Sequence, residues 1–373
     1  MPKRQELNMK ITNIKFAKLR VPLVTPFKTA LRTVEEIEDI IIMVETDEGA
    51  VGYGGATATA AITGDTLGSI VAAIKDEMAP RIIGLDIKDL NEIIHRIQNS
   101  MVKNYSAKAA LEIAIYDLFA QMYKAPLYQI LGGGEPTLAT DITISVDYIE
   151  KMVEDSLRAV ELGFDTLKLK VGKDMGLDIE RVKAIYHAVE GRALLRLDSN
   201  QGWTAKEAVY ALKTLEDAGI ELELVEQPIR ADDLDGMKYI TENIYTPVMA
   251  DESTFGPREV IELIKMRAAD IINIKLMKTG GISNAIKIAD IAESYGVKCM
   301  IGCMLESSVS VAAAAHLGVA KSHVINKVDL DTPSLCANDP VTSGVIFKHA
   351  EIKITDAHGL GIQSIDGLEY LDV

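Results

Sequence analysis

The sequence predicts an α/β protein whose larger part is a closed barrel of parallel strands. Beyond residue 137, short β-branched runs alternate with amphipathic helical stretches, and the carboxyl ends of these runs recur at intervals of about 24 to 28 residues. The eight ends are Thr143, Lys170, Asp198, Glu226, Asp251, Lys275, Gly302 and Asp329. Eight even βα units are typical of a barrel. An open, doubly wound sheet is the alternative, but it does not require eight units of similar length.

The first third of the chain predicts a mixed α+β region. Residues 37–54 have the pattern of a β-hairpin, and residues 66–122 are largely helical. Ala110 and Ala114 fall on one apolar helix face, where small side chains permit close packing. Three glycines and a proline in residues 131–137 favour a domain boundary over a phosphate-binding loop, because no dinucleotide-binding fingerprint accompanies them.

Composition excludes several functional classes. Fifty-five acidic and 39 basic side chains give a formal net charge of −16, which argues against binding to a nucleic-acid backbone. Three cysteines are too few for a disulfide framework and fit a reducing compartment. No apolar signal segment follows the basic amino terminus, and no run reaches the ~18 uncharged apolar residues of a membrane span. We expect a cytoplasmic protein without nucleic-acid or membrane partners.

Three carboxylates end successive predicted strands, the third to the fifth: Asp198, Glu226 and Asp251. Strand ends converge on one face of a barrel, so these charges would repel one another and raise their pKa values. A divalent cation removes that conflict, and all-oxygen ligands favour Mg²⁺, with Mn²⁺ as the second choice. A single acid of this kind is more often a helix cap, but three in succession favour a metal site.

Three lysines complement these acids. Lys168 and Lys170 alternate with apolar residues on the second strand and so face the interior, while Lys275 ends the sixth strand on the opposite side. A nearby cation and a second lysine would lower the pKa of an amine from ~10.4 toward the ~7–8 that suits a general base. Two opposed lysine bases are what a 1,1-proton transfer through a metal-stabilised enediolate needs.

These segments resemble the enolase superfamily, specifically its muconate-lactonizing-enzyme-like subgroup. The matching motifs are KLK at 168–170, LRLDSNQGW around Asp198, VEQP at Glu226, ADES at Asp251 and NIKLMKTGG at Lys275. The resemblance implies a (β/α)7β barrel closed by an α+β cap that both chain ends form. The implied boundaries are 1–133 for the cap, 134–335 for the barrel and 336–373 for the segment that completes the cap. It also implies that Lys168 helps to hold the substrate carboxylate, while Lys170 and Lys275 are the acid/base pair.

Within that subgroup, the chain is most similar to dipeptide epimerases, because VDLD places Asp329 and Asp331 at the end of the eighth strand. Both carboxylates point the same way, which suits the α-ammonium of a dipeptide. The resemblance implies an isomerase that inverts the α-carbon of the carboxy-terminal residue, with L-Ala-L-Glu and L-Ala-D-Glu as the expected pair and murein-peptide recycling as the setting. The alternatives within the subgroup are o-succinylbenzoate synthase and muconate cycloisomerase, whose substrates have no ammonium.

The resemblance also implies specificity residues. Residues 25–34 are similar to a mobile loop of dipeptide epimerases that act on Ala-Glu, in which Arg32 would meet the distal carboxylate. Gly55 stands where relatives often carry an acid, so the second specificity loop is expected to differ. Glu306 is expected to orient Lys275. Further expected substrate contacts are Thr143, Cys303 and Met304.

A metal-dependent binding protein for small anionic peptides is the alternative from another class, but binding alone has no need for two opposed lysines. Barrels of this kind often associate, so a homo-oligomer is expected.

Overall fold

The computed structural model describes residues 8–29 and 32–373. The first described elements form an antiparallel meander. Its strands are β1 (Ile11–Lys28), β2 (Thr33–Thr46) and β3 (Val51–Thr57). The predicted hairpin is confirmed, since β2 and β3 pair in a register that sets Asp39 opposite Thr57. The apolar run on β2 is buried on both faces: Ile40 packs into the main core, while Ile37 and Ile41 belong to a second cluster with Leu305. Strand β2 is therefore the layer between the cap helices and the barrel.

Helices cover the outer face of this sheet. They are α1 (Leu67–Ala72), a π-helical turn (Ala73–Met78), α2 (Ala79–Ile82), a 3-10 turn (Ile87–Asp89), α3 (Leu90–Gln98), α4 (Tyr105–Met122) and α5 (Leu127–Ile130). The predicted small face of α4 lies directly on β3. A Cβ atom on Gly54 would lie 1.9 Å from the carbonyl oxygen of Ala110, and one on Gly52 would lie 2.3 Å from that of Ala114. The close approach of helix to strand therefore requires glycine at both positions.

A barrel of eight parallel strands follows, and their order in the sheet is their order in the chain. After the short strand β4 (Thr137–Ala139) come β5 (Ile142–Ile144), β6 (Thr166–Lys170), β7 (Leu194–Asp198), β8 (Leu224–Glu226), β9 (Val248–Ala250), β10 (Ile271–Lys275), β11 (Lys298–Gly302) and β12 (Ile325–Asp329). The first and eighth strands are adjacent, since the Asp141 N–H donates to the Val328 carbonyl at 3.4 Å.

Seven long helices connect the eight strands. The helices of this region are α6 (Ile149–Glu161), α7 (Met175–Val189), α8 (Ala205–Asp217), α9 (Leu234–Asn243), α10 (Pro257–Met266), the short α11 (Leu276–Thr279), α12 (Ile282–Ser294), α13 (Ser308–Ala320) and the short α14 (Thr332–Leu335). Only the four-residue α14 follows the eighth strand. The predicted (β/α)7β barrel is confirmed.

The end of the chain returns to the cap. Its strands are β13 (Val341–Thr342), β14 (Val345–Lys348), β15 (Glu351–Ile354), β16 (Ser364–Ile365) and β17 (Glu369–Tyr370). Strand β15 pairs with β4 at the entrance to the barrel, and β17 adds an edge strand to the cap sheet beside β1, with Tyr370 opposite Ala17. Among the described residues, none of the helices combines the length and apolar character needed to span a bilayer.

Candidate active site

The residues predicted at the strand ends lie side by side at the mouth of the barrel. Asp198 is the register partner of both Lys170 and Glu226, because the parallel strands β6, β7 and β8 end at the same level. Lys275 ends β10 on the other side of the barrel. All four side chains are buried. The carboxyl ends of the strands therefore gather charged groups in a site of low dielectric.

Lys168 is the ammonium group that links the two sides of the mouth. Its Nζ lies 2.6 Å from Glu226 Oε2, 2.7 Å from Asp329 Oδ2 and 3.2 Å from Asp198 Oδ2. Its side chain is only 3% exposed. A buried lysine is tolerated when it is paired and hydrogen-bonded, and these three acids provide that pairing.

The two predicted bases lie on opposite strands and have different partners. Lys170 Nζ lies 2.5 Å from Asp198 Oδ2. Lys275 Nζ lies 2.8 Å from Asp251 Oδ2 and 3.7 Å from Glu226 Oε1. Each lysine is therefore anchored by a different carboxylate of the predicted metal-binding set.

The protein's own acids raise the pKa of Lys275. Burial and the charge of Lys168 both lower it, but the charges of Asp251 and Glu226 outweigh them. The expectation of a lowered pKa includes the charge of a bound cation, and it therefore stays a prediction. A neutral amine at this position requires that another positive charge neutralise these carboxylates.

The acids at the ends of β7, β8 and β9 have the chemistry of a site for a hard divalent cation. Burial and the charge of Asp198 raise the pKa of Glu226 to about 7. Burial and the charges of Asp251 and Asp198 raise the pKa of the neighbouring Glu252 to about 8. Within the described part of the chain, no group donates a hydrogen bond to the buried Oε2 atom of Glu252. Buried carboxylate oxygens in excess of their donors fit Mg²⁺.

Lys278 is a site residue that the sequence reasoning missed. Its side chain is fully buried, and its Nζ lies 2.5 Å from Asp251 Oδ1. The same ammonium donates to the backbone carbonyl of Asn273 at 3.2 Å. The signal was present in NIKLMKTGG: Lys278 follows Lys275 by three residues, about one turn of α11, and so returns to the same side.

Two asparagines were also missed. Asn273 Nδ2 donates to Glu226 Oε1 at 2.7 Å, and Asn200 Oδ1 accepts from Lys170 Nζ at 3.1 Å. Asn273 lies two residues before Lys275, so strand alternation was the signal that places both on one face. Each asparagine therefore forms a hydrogen bond with a predicted functional group, Asn273 from strand β10 and Asn200 from the loop after β7.

A second acidic group lies where the first and eighth strands meet. One oxygen atom from each of Asp141, Asp329 and Asp331 lies within 4.8 Å of the others, and no other three acids of the described chain approach so closely. Arg196 forms an ion pair with Asp141 at 2.7 Å, and the Thr143 N–H donates to Asp331 at 2.7 Å. Burial and the charge of Asp329 raise the pKa of Asp331 to about 6. This end of the mouth therefore favours a cationic group.

An open cavity between the cap and the barrel mouth connects these groups. Most of the predicted site residues line it: Arg32, Thr143, Lys168, Lys170, Lys275, Cys303, Met304, Asp329 and Asp331. The cap contributes Phe27 and Ile62 as well. Charged groups from the barrel and apolar groups from the cap thus converge on one cavity, as is typical of a small-ligand site.

Arg32 and Glu306 occupy different environments. Arg32 is half-buried, and no carboxylate of the described residues forms an ion pair with it. Burial raises the pKa of Glu306 to about 7, and its Oε1 accepts from the Met304 N–H at 2.8 Å. The ion pairs of Lys275 go to Asp251 and Glu226, so an orienting role for Glu306 stays a prediction.

Comparison with known proteins identifies the family. Residues 11–132 match the mandelate racemase/muconate lactonizing enzyme amino-terminal domain, and residues 151–366 match the enolase carboxy-terminal domain-like family. The chain belongs to the enolase superfamily. The superfamily resemblance drawn from the strand-end motifs is thereby confirmed.

Within the enolase superfamily, similar proteins are dipeptide epimerases. The L-Ala-D/L-Glu epimerase of Clostridium acetobutylicum is 50% identical over 96% of this chain and 100% of its own length. The hydrophobic dipeptide epimerase of Enterococcus faecalis is 43% identical over 95% of this chain and 99% of its own length.

The solved structures that are similar to this chain include dipeptide epimerases as well. The substrate-liganded L-Ala-D/L-Glu epimerase of Bacillus subtilis has a TM-score of 0.94 and 46% identity, over 95% of this chain and 99% of that one. The Enterococcus faecalis dipeptide epimerase complexed with Mg and the dipeptide L-Leu-L-Tyr has a TM-score of 0.92 and 42% identity, over 95% and 100%.

Proposed function

We propose that this enolase-superfamily chain is a Mg²⁺-dependent dipeptide epimerase. It inverts the α-carbon of the carboxy-terminal residue, with L-Ala-L-Glu and L-Ala-D-Glu as the first pair to examine. The observation that carries this proposal is the pair of buried lysines, Lys170 and Lys275, on opposite sides of one cavity whose further lining includes Asp329 and Asp331. Two relatives that match nearly the whole chain, both named L-Ala-D/L-Glu epimerase, support it.

The two lysines account for the chemistry. One lysine, as the neutral amine, takes the α-proton from one face of the substrate, and the electron pair of the broken C–H bond moves onto the adjoining carboxylate. The opposite lysine, as the ammonium, then donates a proton to the other face, and the new C–H bond inverts the centre. No net proton is gained or lost, and the reverse reaction exchanges the roles of Lys170 and Lys275.

Asp198, Glu226 and Asp251 would hold the Mg²⁺ ion. When bound, the ion would supply positive charge that balances these acids and the negative charge developing on the substrate carboxylate. Lys168 lies between Glu226 and Asp329, which suits its proposed part in holding that carboxylate.

The two ends of the dipeptide have complementary partners in the cavity. The α-ammonium would bind the acidic group of Asp329 and Asp331. The distal carboxylate would bind Arg32, whose guanidinium has no acidic partner among the described residues. Substrates without an ammonium would leave Asp331 and its neighbours uncompensated, which disfavours succinylbenzoate synthase and muconate cycloisomerase chemistry. Thr143, Cys303 and Met304 are the proposed wall contacts.

The decisive test is proton NMR in deuterium oxide with the full chain, Mg²⁺ and L-Ala-L-Glu. The α-proton signal of the second residue should disappear while L-Ala-D-Glu appears. A set of other dipeptides provides the specificity control. Binding of these dipeptides by calorimetry, without any isotope exchange, would contradict the proposal and favour a binding protein.

The cellular setting is part of the same proposal. We propose that the protein acts in the cytoplasm on peptides released from murein, and that it is a homo-oligomer with domains bounded at 1–133, 134–335 and 336–373. Size-exclusion chromatography with light scattering measures the oligomeric state directly.

A further inference from the structure

A buried carboxylate in the cap has no part in the proposed chemistry. Asp39 interrupts the apolar side of β2 that Ile37 and Ile41 form, and it is fully buried. Burial raises its pKa to about 6. An acid among isoleucines costs stability unless hydrogen bonds compensate for its desolvation, so its partners show what it stabilises.

The partner of Asp39 belongs to the barrel. Asp39 Oδ2 accepts a hydrogen bond from the Ser307 N–H at 2.7 Å, at the start of α13. Its neighbour across the cap sheet, Thr57, donates from Oγ1 to the Leu305 carbonyl at 3.0 Å. Two adjacent cap residues therefore bind two points of one barrel segment, residues 303–307.

This segment has neither helical nor strand structure, so individual hydrogen bonds hold its conformation. One lies within it, from the Met304 N–H to Glu306 Oε1 at 2.8 Å, and the others reach outside it. The barrel holds its first half: the Cys303 N–H donates to the Asp329 carbonyl at 3.1 Å, and Thr332 Oγ1 donates to the Met304 carbonyl at 2.9 Å. The cap holds the second half through the two bonds described above. The anchor on Met304 thus comes from the barrel, and the anchor on the next residue, Leu305, comes from the cap.

The same segment forms a wall of the substrate cavity, since Cys303, Met304 and Leu305 all line it. Leu305 also packs against Ile37 and Ile41 of the cap. A shift of the second half of the segment would therefore change the shape of the cavity.

We infer that Asp39 and Thr57 are positioning residues that hold the Cys303–Leu305 wall and thereby set selectivity among dipeptide side chains. This inference rests on the proposed function for its substrate, but the two cap contacts that it invokes do not involve Lys170 or Lys275. The carboxylate of Asp39 supplies the stronger of the two anchors, because it lies at the amino terminus of α13, where negative charge is favourable.

The primary variants are Thr57→Val, which removes the hydroxyl donor and keeps the shape, and Asp39→Asn, which keeps one acceptor and removes the charge. Each should raise KM for L-Ala-L-Glu about tenfold with kcat changed less than about threefold. Each should also lower the kcat/KM ratio of L-Ala-L-Glu to L-Ala-L-Met at least about fivefold. Asp39→Ala should have a larger effect than Asp39→Asn.

Asp117→Asn is the matched control. Asp117 is a fully buried cap acid whose pKa burial also raises to about 6, and it accepts from two backbone N–H groups, those of Tyr53 and Leu360. It does not line the cavity. Its replacement should lower stability and leave KM and the selectivity ratio within about twofold. An equal change in this control, or an unchanged ratio in both primary variants, would overturn the inference.

Hydrogen exchange of the substrate-free protein provides a readout without turnover. Amides of residues 303–307 should exchange at least about tenfold faster in Thr57→Val and Asp39→Asn, but not in Asp117→Asn. If the unmodified chain epimerises no dipeptide while this exchange pattern holds, the proposed function fails and the positioning contacts stand. If epimerisation is observed and exchange is unchanged, the positioning role fails alone.

Discussion

Asp251 and Lys278 form a fully buried ion pair, in which Lys278 Nζ lies 2.5 Å from Asp251 Oδ1. The other carboxylate oxygen of Asp251 faces Lys275 at 2.8 Å. One acid is thus shared between a proposed base and a lysine that does not line the cavity. Lys278 therefore fixes the carboxylate against which Lys275 is positioned.

Lys278→Met should destabilise the protein by about 3 kcal/mol, because removing one partner leaves a buried charge less well compensated. Urea unfolding followed by circular dichroism measures the change. Lys213→Met, at an exposed lysine, is the control and should change stability by no more than about 0.5 kcal/mol. Equal stabilities of the two variants would contradict a compensating role for Lys278.

Lys170→Ala and Lys275→Ala should each reduce epimerisation by about 10²- to 10⁴-fold, the range expected for loss of a general acid or base. Each variant should still exchange the α-proton of one epimer with solvent, since one base remains, and the two variants should differ in which epimer they exchange. Proton NMR in deuterium oxide with both epimers checks this. Near-full epimerisation by either variant would refute the two-base assignment.

Asp331→Asn should lower kcat/KM for L-Ala-L-Glu at least about 30-fold, because the substrate ammonium loses a buried charge partner. Replacing Asp331 tests ammonium binding more selectively than replacing Asp329, because Asp329 also forms an ion pair with Lys168. N-acetyl-L-Ala-L-Glu, which has no ammonium, serves as the comparison substrate. For this compound the variant's kcat/KM should fall less than about threefold. Equal losses for both substrates would show that Asp331 acts through the fold instead.

Chelation by EDTA should abolish epimerisation, and Mg²⁺ should restore it. Mg²⁺ at 100 times its Kd should also stabilise the folded chain by about 2.7 kcal/mol. Glu226→Gln should remove that stabilisation, whereas Glu221→Gln, an exposed acid of the same segment, should retain it. Thermal unfolding with and without Mg²⁺ gives the comparison, and an unchanged shift in Glu226→Gln would exclude Glu226 as a ligand.

Glu112→Gln should flatten the pH dependence of stability. Burial raises the folded-state pKa of Glu112 from 4.5 to about 7, so the native state binds its proton more tightly than the unfolded state. The protonated Glu112 therefore adds to the free energy of unfolding. Its contribution is complete below pH 4.5 and is lost as the pH rises to 7, which lowers the free energy of unfolding by about 3 kcal/mol in the unmodified chain. Urea unfolding between pH 4.5 and 7.5 measures it. The exposed Glu92 offers the control Glu92→Gln, which should keep the full slope.

The sequence predicted the barrel and the charged residues at the ends of its strands, because both depend on local sequence patterns. The spacing of strand ends identified Asp198, Glu226 and Asp251, and alternation within the second strand placed Lys168 and Lys170 on one interior face. Lys278 was missed although its signal was local, because a helical turn immediately after a strand changes the period from two residues to about 3.6.

Other contacts had no local signal at all. Asp141 approaches Asp331 only because the first and eighth strands are adjacent in the closed barrel. Asp39 meets Ser307 across a separation of 268 residues. Short-range periodicity carries no information about such pairs.

The sequence by itself thus determined the order of strands and helices, the residues at the strand ends and the charge each one contributes. Only the tertiary structure decided how those charges are paired: Asp251 contacts two lysines, and Lys168 contacts three acids. It also decided that Asp39 and Thr57 of the cap form hydrogen bonds with the barrel segment that lines the cavity. The reason is that side-chain type and period are local properties, whereas the pKa of a buried group and the shape of a cavity depend on neighbours that only barrel closure and cap docking bring into contact.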